Sequence, residues 1–129
     1  MSEASSRRAV VVDDSPLACQ MWRLLLEARY GERVKVETYT DPCQAVEILQ
    51  PDIHLMLLDW EMPCLDGAAV LEEARRRGVN LKRVIITSGH PAEELHEAFD
   101  RSGCLAVIEK AEPEQQAAFL MILDSIMRR

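Results

Sequence analysis

Four apolar runs in this chain are continuous rather than alternating: Ala9-Val10-Val11-Val12, Leu55-Met56-Leu57-Leu58, Arg83-Val84-Ile85-Ile86-Thr87 and Cys104-Leu105-Ala106-Val107-Ile108. A strand that is apolar on both faces must be covered on both faces, which is the situation inside a parallel sheet. A fifth segment, Val34-Lys35-Val36-Glu37-Thr38-Tyr39, alternates instead and reads as a strand nearer an edge.

Helical patterns separate these runs. Ser15-Pro16 offers an N-cap and a proline in the first turn, followed by Leu17, Met21, Leu24, Leu25 and Ala28 on one helical face, expected to point inward. Asp41-Pro42 repeats the device ahead of Ala45, Val46 and Leu49. Asp66-Gly67 opens a third helix with Val70, Leu71 and Ala74 inward, closed by Arg75-Arg76-Arg77 and Gly78 in keeping with the helix dipole. Pro91 starts a fourth (Ala92, Leu95, Phe99), and Pro113 a fifth that runs toward Met127. A β-α unit repeated five times demands a doubly wound five-stranded parallel sheet with five helices on its two faces.

A chain of 129 residues fits one such domain without disulfide or metal staples, here residues 8–129 after a short flexible tail at 1–7. It is 48% hydrophobic and 29% charged with a net charge of -7, a balance that argues against a nucleic-acid surface. No run approaches the ~20 apolar residues of a membrane helix, and the polar start lacks a signal-peptide core, so a cytoplasmic location is expected. Cys19, Cys43, Cys64 and Cys104 are scattered, with no Cys-x-x-Cys pair, and are expected to be reduced thiols.

Ligands of open parallel sheets bind beyond the carboxyl ends of the strands. Asp13, Asp14, Asp59, Thr87 and Lys110 all fall at those ends. Three carboxylates brought together repel one another unless a cation compensates, and a hard divalent ion such as Mg²⁺ takes oxygen ligands of this kind. A carboxylate can also act as a phosphoryl acceptor, with ammonium and hydroxyl groups stabilising the charge in transfer. Lys110 and Thr87 supply those two partners.

The motifs Asp13-Asp14-Ser15, Asp59-Trp60-Glu61-Met62-Pro63 with Asp66-Gly67, Thr87-Ser88 and Lys110 follow strands one, three, four and five in order, and the chain resembles a response-regulator receiver domain of bacterial two-component signalling over residues 8–128. The resemblance, nearest to chemotaxis-type single-domain regulators, implies a flavodoxin-like fold with strand order 2-1-3-4-5. It implies that Asp59 accepts a phosphoryl group from a sensor histidine kinase or a histidine phosphotransfer protein. Asp14 and Asp59 would ligate Mg²⁺ with the backbone carbonyl of Glu61, and Asp13 would hold a metal-bound water. Lys110 and the Thr87 hydroxyl would meet phosphoryl oxygens, and the backbone N–H groups of Trp60 and Ser88 would complete the cradle. No enzymatic output is expected beyond acceptance and hydrolysis of that group.

The chain departs from the family pattern in three places. Val107 stands where many receivers carry a Tyr or Phe, and a β-branched side chain cannot make the swing of a ring. Ala111 stands where a proline usually follows the lysine. Pro51-Asp52 lies farther from the acceptor than is usual, which predicts a longer loop before the third strand and puts His54 at the strand entrance in a structural role. Glu61 and Gly89 occupy positions that tune water access, while His90 and His96 read as loop and surface residues. Trp22, off the main stripe of the first helix, is a candidate contact for a phosphodonor. Phe119-Leu120-Met121-Ile122-Leu123 in the last helix predicts a partner or homodimer surface shared with the fourth helix, against the plainer reading of ordinary packing with a few exposed apolar groups. Two other classes stay open beside the switch: a pseudo-receiver that binds without turning over phosphate, and a receiver excised from a longer regulator. A haloacid-dehalogenase-like phosphatase is disfavoured because Glu61 replaces the second aspartate that chemistry needs.

Overall fold

In the computed structural model, which describes residues 6–60, 62, 67–88, 106–109 and 113–128, strands β1 (Arg7–Val12), β2 (Val34–Tyr39), β3 (Ile53–Asp59), β4 (Val84–Ser88) and β5 (Ala106–Glu109) form one sheet. Their order is β2-β1-β3-β4-β5 and every pairing is parallel. The alternating segment 34–39 is thus an edge strand. β1 begins at Arg7, inside the stretch expected as tail, because Arg7 pairs in register with Val34.

Helices α1 (Pro16–Tyr30), α2 (Pro42–Glu47), α3 (Gly67–Arg76) and α4 (Pro113–Arg128) are described. The helix expected from Pro91 lies outside the described residues, so α4 is the one expected from Pro113. The Ser15 side chain accepts from the Ala18 N–H and the Asp41 side chain from the Cys43 N–H, each capping a helix that opens on proline.

Alternation along the strands divides the core into two layers. Val10, Val12, Met56, Leu58, Val84 and Ile86 pack with Ala45 of α2 and with Val70, Leu71 and Ala74 of α3. Ala9, Val11, Leu55, Leu57 and Ile85 pack on the other face with Cys19, Leu26 and Tyr30 of α1 and with Phe119, Leu123 and Ile126 of α4. Val70, Leu71 and Ala74 point inward as expected.

Helix α1 is turned the other way. Leu17, Met21 and Leu24 are 67%, 62% and 58% exposed, while Cys19, Leu26 and Tyr30 meet the sheet. The helix carries two apolar stripes about half a turn apart, and periodicity alone does not say which one faces the core. Trp22 decides it, its ring lying 5.3 Å from that of Phe119 between α1 and α4.

The segment before β3 also differs from expectation. Pro51 and Asp52 form a turn directly ahead of Ile53, so no longer loop is present there. The extra length sits inside the strand: Arg8 pairs with Ile53 and Ala9 with Leu55, a register shift that leaves His54 between them. The His54 Nε2 lies 2.8 Å from the Ile126 carbonyl, consistent with a structural role. In α4 the apolar run is mostly consumed by packing, with Phe119, Leu123, Ile126 and Met127 buried, Leu120 and Ile122 half-buried and Met121 exposed. The plainer reading of that helix therefore holds for the part described. Cys19 is buried and Cys43 exposed. Among the described residues no helix is long and apolar enough to cross a membrane.

Candidate functional site

β1 lies between β2 and β3, so the chain leaves the carboxyl end of β1 toward one side of the sheet and later returns on the other. A crevice opens at such a switch point. Asp13 and Asp14 follow β1 directly, and Asp59 is the last residue of β3, the neighbouring strand. One carboxylate oxygen from each of the three falls within 4.8 Å of the others. Asp13 and Asp59 are 1% and 4% exposed, whereas Asp14 is open to solvent.

Several contacts hold this geometry. The Ser15 N–H donates to Asp13 Oδ1 at 3.0 Å, and the Asp13 N–H donates to the Tyr39 carbonyl at 3.0 Å. The Cys19 thiol lies 3.2 Å from the Asp13 carbonyl, so the first turns of α1 pin the residue from below. Asp59 is paired in register with Thr87 of β4, itself 1% exposed, which places a hydroxyl-bearing residue on the strand beside the carboxylate. Gly67, at the start of α3, donates its N–H to the Trp60 carbonyl at 3.2 Å. A Cβ there would lie 2.5 Å from the Trp60 ring and 2.9 Å from its Cα, so only glycine permits this approach of helix to loop. Sequence reading took Gly67 as a helix opener and missed this contact. The signal available was its place a few residues beyond the acceptor.

The three carboxylates suit a small hard cation. Two oxygens bound to one Mg²⁺ are at most ~4.2 Å apart, twice the ~2.1 Å ligand distance, and the observed cluster is only slightly wider. Among the described residues no buried side-chain nitrogen or oxygen lacks a hydrogen-bond partner, so the site carries no orphaned polar atom.

Of the expected site residues, Asp13, Asp14, Asp59 and Thr87 are brought together. The Trp60 N–H donates to the Thr87 carbonyl at 2.9 Å because the β3–β4 ladder continues one residue past Asp59. Ser88 ends β4. Glu61, Gly89, His90, His96, Lys110 and Ala111 lie outside the described residues, and Val107 is placed in β5.

The family model described as the response regulator receiver domain matches residues 9–121. The nitrate/nitrite response regulator protein NarP of Escherichia coli (strain K12) is 30% identical over 115 residues, covering 88% of this chain and 53% of that protein. The chain thus spans about half the length of NarP, and smaller shares of the other curated relatives it matches. Among solved structures, the BeF3-activated N-terminal receiver domain of Klebsiella pneumoniae RstA superposes with a TM-score of 0.79 at 20% identity, covering 95% of this chain and 100% of that one. The receiver domain of the sensor histidine kinase PA1611 from Pseudomonas aeruginosa PAO1, solved with a magnesium ion coordinated in its active site cleft, gives 0.73 at 18% identity over 94% and 98% of the two chains. Likeness at that identity speaks for a flavodoxin-like fold, and with the family match over most of the sequence this chain belongs to the response regulator receiver domain family of two-component signalling.

Proposed function

We propose that this receiver is a phosphorylation switch in which Asp59 accepts a phosphoryl group from a phosphohistidine. The observation that carries the reading is the convergence of Asp13, Asp14 and Asp59 at the switch point of the sheet, with Thr87 in register beside the acceptor. An Asp59 carboxylate oxygen attacks phosphorus, the P–N bond of the phosphoimidazole breaks, and the imidazole leaves as a neutral ring after taking up a proton. Water later attacks the acyl-phosphate, releasing phosphate and restoring the carboxylate. Asp13, Asp14 and Asp59 are the residues that would hold Mg²⁺, which when bound offsets their mutual repulsion and the charge of the phosphoryl oxygens. Asp13 is oriented by the Ser15 N–H, and the Thr87 hydroxyl donates to a phosphoryl oxygen. Lys110 and the Glu61 carbonyl complete the set that the family resemblance implies.

The face that meets the phosphodonor is supported by α1. Leu17, Met21 and Leu24 are exposed at spacings of four and three residues, so they share one helical face that begins just after the acidic loop. A helix of a histidine kinase or phosphotransfer protein lying along that stripe would bring its phosphohistidine toward Asp59. A downstream protein partner reads the change, as membership of the receiver family implies.

Incubation with Mg²⁺ and a small phosphodonor should yield an acid-stable, base-labile acyl-phosphate that is absent from Asp59→Asn. Failure to incorporate phosphate in the wild-type chain at any Mg²⁺ concentration would leave the pseudo-receiver reading in its place. Met21→Glu should slow transfer from a phosphohistidine protein by ~10-fold or more, since it puts a charge into an apolar contact, while leaving labelling by the small donor unchanged. Equal slowing with both donors would rule out α1 as the docking face.

A further inference from the structure

The pole of the sheet opposite the acidic site is an arginine cluster. Arg7 opens β1, Arg33 closes the short turn before β2, Arg83 immediately precedes β4, and Arg128 ends α4. His54, near the start of β3, sits between two of them: its Nδ1 lies 3.2 Å from Nη1 of Arg83 and 3.5 Å from Nη1 of Arg7. Its Nε2 is 2.8 Å from the Ile126 carbonyl, which assigns the ring proton to Nε2 and leaves Nδ1 to accept. Burial and the two guanidinium groups favour the neutral ring, so the imidazole does not add a third cation.

Most other described arginines are matched with acids, Arg23 excepted, which donates to Thr38 Oγ1 at 3.3 Å. Arg8 is paired with Glu37 and Asp52, Arg29 with Asp124, Arg75 with Glu72, and Arg76 and Arg77 with Glu73. Arg7, Arg33, Arg83 and Arg128 have no carboxylate at ion-pair distance among the described residues. Their hydrogen bonds go to the imidazole or to backbone carbonyls, Arg33 to Tyr30 and Arg128 to Asp124. Acids are not scarce in a chain of net charge -7. The carboxyl ends of α1 and α4 favour a cation each, and Arg83 closes a short 3-10 turn, but Arg7 opens a strand, where no helix end explains it.

Arg7, Arg33 and Arg128 line one cleft of about 660 Å³ together with Tyr30, Asp124 and Met127. Asp124 does not neutralise it, because Arg29 binds both of its oxygens and the Tyr30 hydroxyl donates to Oδ1 at 2.7 Å. We propose that this cleft binds a small anion bearing two or more phosphate groups, held by the guanidinium groups of Arg7, Arg33 and Arg128. Guanidinium forks match phosphate oxygens in pairs, and the volume gives room for more than one such group.

The test is isothermal titration of the whole chain with inorganic pyrophosphate at low ionic strength. EDTA is included so that no metal at the acidic site recruits the anion. Arg33→Gln/Arg128→Gln alters two exposed side chains, and Arg75→Gln on α3 serves as the control. The expected result is one saturable site, weakened about tenfold or more in the double variant, as for the loss of charge-assisted contacts, and unchanged in Arg75→Gln. A lack of saturation up to ~10 mM, or equal binding by the double variant, would overturn the proposal. So would a hexaglutamate peptide that binds the same cleft as tightly as pyrophosphate, because the site would then belong to an acidic protein segment.

Discussion

The two ends of the sheet gather opposite charge, and they tolerate it differently. At the carboxyl end Asp13 and Asp59 are nearly buried, and Asp13 is held by a backbone N–H. At the amino end the cluster includes exposed arginines, Arg33 and Arg128, beside a half-buried Arg7. Strands of six or seven residues hold the poles ~20 Å apart, more than twice the ~8 Å screening length of physiological salt, so neither neutralises the other. Each pole therefore needs its own counter-charge. The buried one demands a compact, strongly bound cation, and the open one is served by a weaker and larger anion.

The largest effect that would sharpen this contrast comes from the carboxyl end. Gly67→Ala must displace Trp60 or the start of α3 and should cost about 1–3 kcal/mol, as overpacking does, read by urea denaturation, with slower labelling of Asp59 alongside. Wild-type stability in that variant would mean that the loop after Asp59 is soft rather than built. At the amino end the Asp124 carboxyl is held down at about 2 by hydrogen bonds from Arg29 first and Tyr30 second. The folded state favours its charged form, so the contribution is present above the ordinary 3.8 and lost as pH falls toward 2. A partly exposed pair is screened by solvent, so Asp124→Asn should cost about 0.5–1 kcal/mol at neutral pH, with the difference from wild type shrinking in acid. A pH-independent difference would assign the effect to packing. The smallest effect is that of His54, whose pKa is lowered chiefly by burial, against the Ile126 carbonyl and with help from Arg83 and Arg7. The unfolded chain takes up this proton first, so its contribution is complete above the ordinary 6.5 and is lost as pH falls below it. His54→Gln should flatten the stability profile in that range; an unchanged slope between pH 7.5 and 5.5 would show that the ring titrates as it does in the unfolded chain.

The poles were also unequally legible in the sequence. Asp13, Asp14, Asp59 and Thr87 stand at the ends of continuous apolar runs, and a run that must be buried fixes where its last residue emerges. Arg7, Arg33, Arg83 and Arg128 are scattered, and only the three-dimensional order of strand starts and helix ends brings them together. The orientation of α1 was beyond reach for another reason. Its two apolar stripes are equivalent by period, and the choice depends on Trp22 meeting Phe119 nearly a hundred residues away. The hydrogen bond from the Trp60 N–H to the Thr87 carbonyl was beyond reach too, because the point where a strand ladder stops is set by the partner strand.

The register shift at His54 lets the chain change length without changing its reading frame. Ile53 packs in one core layer, while Leu55 and Leu57 pack in the other, although all three would share a face in a regular strand. The extra residue is absorbed before the alternation that ends on Asp59 begins. Insertions and deletions at this point are thus decoupled from the chemistry at Asp59, five residues away, and the amino end of β3 is where such a domain can be lengthened or shortened while its acceptor stays in place.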